Sequence, residues 1–345
     1  MRWNSKVAGL VFICSLVRLG FAQVAPELTS VPLQEVRSPR TPDEIRTGPP
    51  WRCDAEGRVY ARVRSWRGLQ VARFDVNAVP DRFFPSDAGT AALNNFRIVD
   101  FNIEPGGGIF ALVVRRALSG GAQFRIAFID SQGDFRNFVD PENLVPQKLA
   151  VFGNGDLLIA GFSTVASVTS SDTWFTGVFH PDGRLQAPLK LDIATVFSDR
   201  NKRDKQQATG VAVEDIGNWV DFISSPNGNV YAATIGSVDS PNLTAQNRIL
   251  EISSSGVMRS YRIVDTANAQ LFHVVIGTNE ILAFSGTKTG DDLNLRAYYL
   301  DHSMQSLLLT HRYRVLGMPQ CLTADDLLVI RPDGKGHQYL VTYKR

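Results

Sequence analysis

Cys53-Asp54-Ala55-Glu56-Gly57-Arg58-Val59-Tyr60-Ala61 is the first of six related stretches in a chain of 345 residues. It returns as Ile103-Glu104-Pro105-Gly106-Gly107-Gly108-Ile109-Phe110-Ala111, as Phe152-Gly153-Asn154-Gly155-Asp156-Leu157-Leu158-Ile159, and as Ser225-Pro226-Asn227-Gly228-Asn229-Val230-Tyr231-Ala232. Weaker copies are Gly277-Thr278-Asn279-Glu280-Ile281-Leu282-Ala283 and Ala324-Asp325-Asp326-Leu327-Leu328-Val329. The first apolar residues after each turn, Val59, Ile109, Leu157, Val230, Ile281 and Leu327, serve as anchors. They recur every 46 to 51 positions, with one longer gap of 73. Periods of this size belong to propellers and repeat arrays. Two positions before each anchor stand Gly57, Gly107, Gly155, Gly228, Asn279 and Asp325, the residue types that tolerate the positive φ of tight hairpin turns.

After each anchor comes a short run of β-formers, such as Val59–Val63, Ile109–Val114 or Leu157–Ala160, too short for a core helix. A third strand follows in most units, at 70–74, 124–129, 175–179, 248–252 and 297–300. A second turn comes next, as in Asp130-Ser-Gln-Gly133, Pro181-Asp-Gly183 and Ser254-Ser-Gly256, and a fourth strand closes the unit, clearest at 257–264. Four antiparallel strands per repeat make a propeller blade. The sequence therefore predicts an all-β, six-bladed β-propeller over residues 50–345. Pro226-Asn-Gly-Asn-Val-Tyr-Ala232, followed by Arg248-Ile-Leu-Glu-Ile252 and Ser254-Ser-Gly256, resembles the propellers of the NHL-repeat and gluconolactonase-like kind. The resemblance rests on turn and strand patterning, so it speaks to architecture.

The N-terminus reads as a secretory signal over residues 1–22. Arg2 and Lys6 precede the apolar run Val7–Val17, and Gly20-Phe21-Ala22 offers a cleavage site. The run is too short to span a bilayer, and the sequence shows no membrane segment after it, so a secreted or periplasmic protein is expected. Removing Arg2, Lys6 and Arg18 takes three of 36 basic residues and none of 34 acidic ones, leaving a net charge of about −1. No basic field remains that would favour nucleic acid. A monomer is expected. Residues 23–49 form a proline-rich arm, and a polar insertion at 193–216, containing Asp199–Lys205, accounts for the long gap between anchors. That insertion reads as a solvated loop or as a lid over one face.

The arm has a second expected role. Only 18 residues follow the last anchor, Leu327, too few for a third and a fourth strand. Val31-Pro-Leu-Gln-Glu-Val36 is an extended run whose Pro32 suits an edge strand. It is predicted to pair beside residues 337–343 and close the ring.

No catalytic signature stands out. The five histidines form no metal-binding pair, and Gly-x-Ser-x-Gly is absent. Gly106–Gly108 does not open a helix, and Ser285–Gly290 superimposes two acylation motifs that must be far apart to work. The best candidate site is the mouth of the central channel, lined by the innermost strands. Asp100 and Asp221 each lie nine positions before their anchor, and so does Lys148; His273 is one step later, and Arg52 and Gln320 are two steps later. Asp100 and Asp221 are the candidates for a divalent cation such as calcium, which takes oxygen ligands. The alternative is that these residues solvate the channel or pair with Arg52 and Lys148. The resemblance implies a channel-mouth metal in the hydrolytic members, held by a Glu–Asn–Asp set that does not map onto these positions. Cys53 and Cys321 both lie six before an anchor, in the first and last units. An exported chain invites a disulfide there. Two buried thiols are the alternative, because equivalent positions on neighbouring strands can exceed the roughly 7 Å Cα limit of a bridge. Two functions stay open: a non-enzymatic binding module for a protein, peptide or glycan, needing no cofactor, or a metal-assisted lactonase or esterase.

Overall fold

The computed structural model describes residues 31–345, apart from 164–173, 190–219, 235–247, 264–270, 286–291, 302–305 and short breaks at 44, 55, 66–67, 87–90, 92, 94–95, 117–121, 278–279, 324 and 336. The expected signal at 1–22 and the whole of the 193–216 insertion lie outside the described residues. The arm enters as β1 (Val31–Pro32) and β2 (Gln34–Arg37). Blade 1 is β3 (Arg46–Cys53), β4 (Val59–Ser65), β5 (Gly68–Phe74) and β6 (Pro80–Phe84). Blade 2 is β7 (Arg97–Ile103), β8 (Ile109–Arg116), β9 (Ala122–Ile129) and β10 (Phe135–Val139). Blade 3 is β11 (Leu144–Val151), β12 (Leu157–Ser163), β13 (Trp174–Phe179) and β14 (Leu185–Leu189). Blade 4 is β15 (Val220–Ser224), β16 (Val230–Thr234), β17 (Arg248–Ile252) and β18 (Met258–Ile263). Blade 5 is β19 (Leu271–Ile276), β20 (Glu280–Ser285), β21 (Asp292–Asp301) and β22 (Ser306–Leu316). Blade 6 has three strands of its own, β23 (Met318–Leu322), β24 (Asp326–Pro332) and β25 (Gln338–Lys344). No helix occurs among the described residues. The chain is a six-bladed β-propeller.

The fourth strand of blade 6 is β2. It runs antiparallel to β25, with Gln34 opposite Lys344 and Glu35 opposite Tyr343. The expected single strand over 31–36 is divided, however. Val31 and Pro32 pair in parallel with Tyr313 and Arg314 on the outer strand of blade 5. Between the two pieces, Leu33 packs into the apolar cluster that joins blades 5 and 6. The strand divides at this half-buried side chain. The arm then continues past Tyr339, where Thr41 N–H donates to Gln338 O (2.8 Å) and Leu340 N–H donates to Pro39 O (3.0 Å), and becomes the innermost strand of blade 1.

The core lies between the blades. Six apolar clusters fill the six seams, for example Phe152, Leu158, Phe222 and Val230 between blades 3 and 4, and Trp51, Phe74, Ile330 and Leu340 between blades 6 and 1. Every anchor is at most 2% exposed, so the sequence periodicity marks the seam residues directly. Each large apolar side chain so buried contributes about 1.5–3 kcal/mol. The four turns with glycine before the anchor take the positive φ expected of them, from +77° at Gly57 to +88° at Gly155; Asn279 lies outside the described residues. The outer turns have a second reason for glycine. A Cβ on Gly133 in blade 2 would come within 2.6 Å of Phe83 O in blade 1. A Cβ on Gly183 would lie 2.6 Å from Asp140 O, just past the outer strand of blade 2, and one on Gly256 would lie 3.0 Å from the Ala187 side chain on the outer strand of blade 3.

Candidate functional site at the channel mouth

Cross-strand register fixes the level of each candidate on the innermost strands. Asp100 stands opposite Leu112, Lys148 opposite Ala160, Asp221 opposite Ala233 and His273 opposite Phe284. Each partner is the third residue after its anchor, so these four share one level. Counting along the sequence set His273 one step away. The turn of blade 5 is one residue shorter, with Ile276 opposite its anchor Ile281, where blade 2 places Ile103 opposite Ile109. That shortening restores the register. Arg52, opposite Tyr60, lies nearer the turn, and Gln320 falls in the bulge between Pro319 and Cys321. Similar bulges interrupt the innermost strands just before Asp100, Lys148 and His273; bulges re-aim side chains at sheet edges and sites.

The structure brings two of the six candidates together. Arg52 of blade 1 donates from Nη2 to Asp100 Oδ1 (3.3 Å) and from Nε to Phe101 O (3.3 Å) in blade 2. Their side chains are only 15% and 11% exposed. The same Asp100 oxygen accepts the Phe101 N–H at 2.8 Å. Arg62, on the next strand of blade 1, donates to Val99 O at 3.1 Å and also to Pro49 O. Two guanidiniums thus hold the bulged stretch 98–101. Lys148 is half-buried and has no ion pair among the described residues. Gln320 donates to Met318 O at 3.3 Å. The side chains of Asp221 and His273 lie outside the described residues.

A calcium ion takes six to eight oxygens, and of the two candidate carboxylates only the side chain of Asp100 lies within the described residues. Asp100 Oδ1 accepts from both a guanidinium and an amide. No three of the described His, Cys, Asp and Glu side chains stand close enough to hold a metal. Polar groups of the innermost strands instead join blade to blade. Asn102 Nδ2 donates to Leu149 O at 2.6 Å across blades 2 and 3, and Val151 N–H donates to Ser224 Oγ at 3.2 Å across blades 3 and 4.

Between blades 6 and 1 the join is Cys53 and Cys321, whose sulfurs are bonded and whose Cα atoms are 5.9 Å apart. The equal count of six before the anchor is not an equal register. Cys53 faces its anchor Val59, whereas Cys321 faces Leu328, one residue past Leu327, because the blade 6 turn is also shorter.

Two polar clusters escaped the sequence reading. In blade 4, Glu251 is 4% exposed and accepts from Tyr231 Oη (3.0 Å), Asn229 Nδ2 (2.8 Å) and Tyr261 Oη (2.7 Å). Burial, then the hydrogen bonds and charge of Glu251, push both phenols above their ordinary range. Tyr231 immediately follows its anchor, and that slot holds Tyr60 in blade 1 but Phe110 in blade 2; the Phe-to-Tyr change was the available signal. In blade 3, His180 Nδ1 lies 3.1 Å from Asp156 Oδ1, and Asn154 Nδ2 donates to the other carboxylate oxygen at 2.7 Å. Each of these hydrogen bonds lies within a single blade.

No family model and no curated protein matches the chain. Solved structures do. An exported-class protein from Bacteroides fragilis aligns over 92% of this chain and 94% of its own at 8% identity, TM-score 0.47. A gluconolactonase from Xanthomonas campestris aligns over 93% and 99% at 11% identity, TM-score 0.43. Regucalcin, a calcium-binding protein from Agrobacterium tumefaciens, aligns over 92% and 97% at 13% identity, TM-score 0.41. Likeness at this level carries no functional weight; one propeller scaffold hosts many activities.

Proposed function

We propose that the protein is an exported, non-enzymatic propeller that binds a protein, peptide or glycan partner on one face of the ring. The pairing of Arg52 with Asp100 carries this reading. Asp100, one of the two candidate carboxylates at the channel mouth, serves as the counter-ion of a guanidinium, and the described polar groups around it stitch blades together. A lactonase of the metal-assisted kind would need Asp100 released from Arg52 before a cation could polarise a carbonyl there.

The test sets binding against turnover. The purified protein is screened on glycan and peptide arrays. In parallel it is assayed on a lactone and ester panel with calcium or zinc. Saturable binding without turnover supports the proposal. Metal-dependent hydrolysis that survives purification to homogeneity and is lost in Asp100→Asn overturns it in favour of the hydrolase.

A further inference from the structure

We infer that Cys53 and Cys321 form a redox-controlled clasp with the N-terminal arm, gripping blade 6 at both edges, so that reduction loosens the seam between blades 6 and 1. Residues 34–53 straddle this blade. At one end β2 is hydrogen-bonded to the outer edge of β25, and Glu35 pairs with Arg331 through both guanidinium nitrogens (3.1 and 3.3 Å). At the other end Cys53, the last residue of β3, is bonded to Cys321 on the innermost strand β23. Blade 6 cannot leave the ring without both ends letting go.

The seam differs from its neighbours. Across blades 1 and 2, 2 and 3, and 3 and 4, the innermost strands meet through hydrogen bonds of Arg52, Asn102 and Ser224. Those form with the fold and do not answer to redox conditions. A disulfide does. The bond spans a sequence separation of 268, so it ties nearly the whole ring into one covalent loop. Long loops are where such a bond most restricts the open chain. The 5.9 Å Cα separation lies within the usual range for a bridge. Cys53 is the more exposed partner, so it is the sulfur that an external thiolate reaches. Attack there forms a mixed disulfide and releases Cys321 as thiolate. The second thiol of the dithiol then displaces Cys53, leaving two protein thiols and one oxidised dithiol. Reoxidation by a disulfide-donating protein reverses both transfers.

The experiment uses the full chain with dithiothreitol as the reductant. Peptide mapping after alkylation reads Cys53 and Cys321 separately, and hydrogen exchange reads β3, β23, the Thr41 amide of the arm and the Leu340 amide of β25 that donates to the arm. The expected result is blocked cysteines in the native protein and, after reduction, exchange about tenfold faster or more in these segments, with blades 2 to 4 unchanged. Cys53→Ala combined with Cys321→Ala should exchange like the reduced protein and ignore dithiothreitol; if that variant does not fold, the reduced parent carries the test alone. Two alkylated thiols in the native protein, or a bridge whose reduction leaves β3, β23 and the arm unaltered, overturns the inference.

Discussion

The Arg52 guanidinium reaches across a seam to hold Asp100, 3.3 Å away, while its Nε caps the carbonyl of the next residue, Phe101. One side chain therefore neutralises the channel-mouth carboxylate and joins blade 1 to blade 2. A charge so placed is costly to strand. Replacing Arg52 with Ala leaves Asp100 largely buried without its counter-ion, a loss of about 2–3 kcal/mol by the usual worth of hydrogen bonds to charged groups. Arg52→Met with Asp100→Leu removes both charges and should recover part of that loss. Chemical denaturation of the single and double variants measures it. A single variant as stable as the parent would mean that the pair holds nothing together.

Tyr60 gives the fold a sensitivity to alkali. Burial foremost, and then the nearby Asp54 carboxylate, push its phenol up to about 12 from 10.0. The hydroxyl donates to Asp54 Oδ2 at 3.2 Å. The folded state therefore keeps the proton that the unfolded chain gives up near pH 10. Its contribution is complete below pH 10 and is lost as pH rises toward 12. Stability measured from pH 9 to 12 should fall more steeply in the parent than in Tyr60→Phe. Equal slopes would place the alkaline loss elsewhere.

The legible and the illegible parts of this molecule divide along physical lines. Turn glycines and anchor residues obey local rules, φ at Gly57 and burial at Val59, so blade number and ring closure could be read in order along the chain. The break in the arm at Leu33 could not, because it depends on a pocket formed by blades 5 and 6. Nor could the cage around Glu251, which needs the register of three strands to bring Tyr231 and Tyr261 to one carboxylate. The levels of His273 and Cys321 were misjudged for one reason: a turn shortened by a single residue shifts every position upstream of it. Function was the least legible. The same residue types that could serve a ligand, Arg52 and Asp100, are the ones that hold neighbouring blades together.

Removing the arm tests ring closure apart from the disulfide. A chain beginning at Thr47 loses the β2–β25 ladder, the Glu35–Arg331 pair and the Thr41 and Leu340 backbone bonds, yet keeps Cys53. Each lost hydrogen bond is worth about 0.5–1.5 kcal/mol, and the outer edge of β25 is left open. The melting temperature should drop by about 5–10 °C, at the roughly 1.5 °C per kcal/mol that about 2.1 cal/mol/K of unfolding entropy per residue gives a chain this long. Calorimetry on both chains measures it. An unchanged transition would reduce the arm to a linker.

Two glycines with nearly the same backbone separate conformational strain from blade packing. Gly155 has φ +88° and nothing within 4 Å of a built Cβ, while Gly133 has φ +89° and a Cβ there would lie 2.6 Å from Phe83 O. Either substitution by Ala incurs the left-handed penalty of about 1–2 kcal/mol. Only Gly133→Ala must also push apart blades 1 and 2, where Ser86 N–H donates to Gly133 O and Ser86 Oγ donates to Asp134 Oδ1 at 3.0 Å. The obstruction is backbone, which cannot swing aside as a flexible side chain would. Gly133→Ala should therefore cost at least about 1 kcal/mol more than Gly155→Ala in urea titrations of the two variants. Equal losses would show that the outer turn does not set the spacing of these blades, and that its glycine serves φ alone.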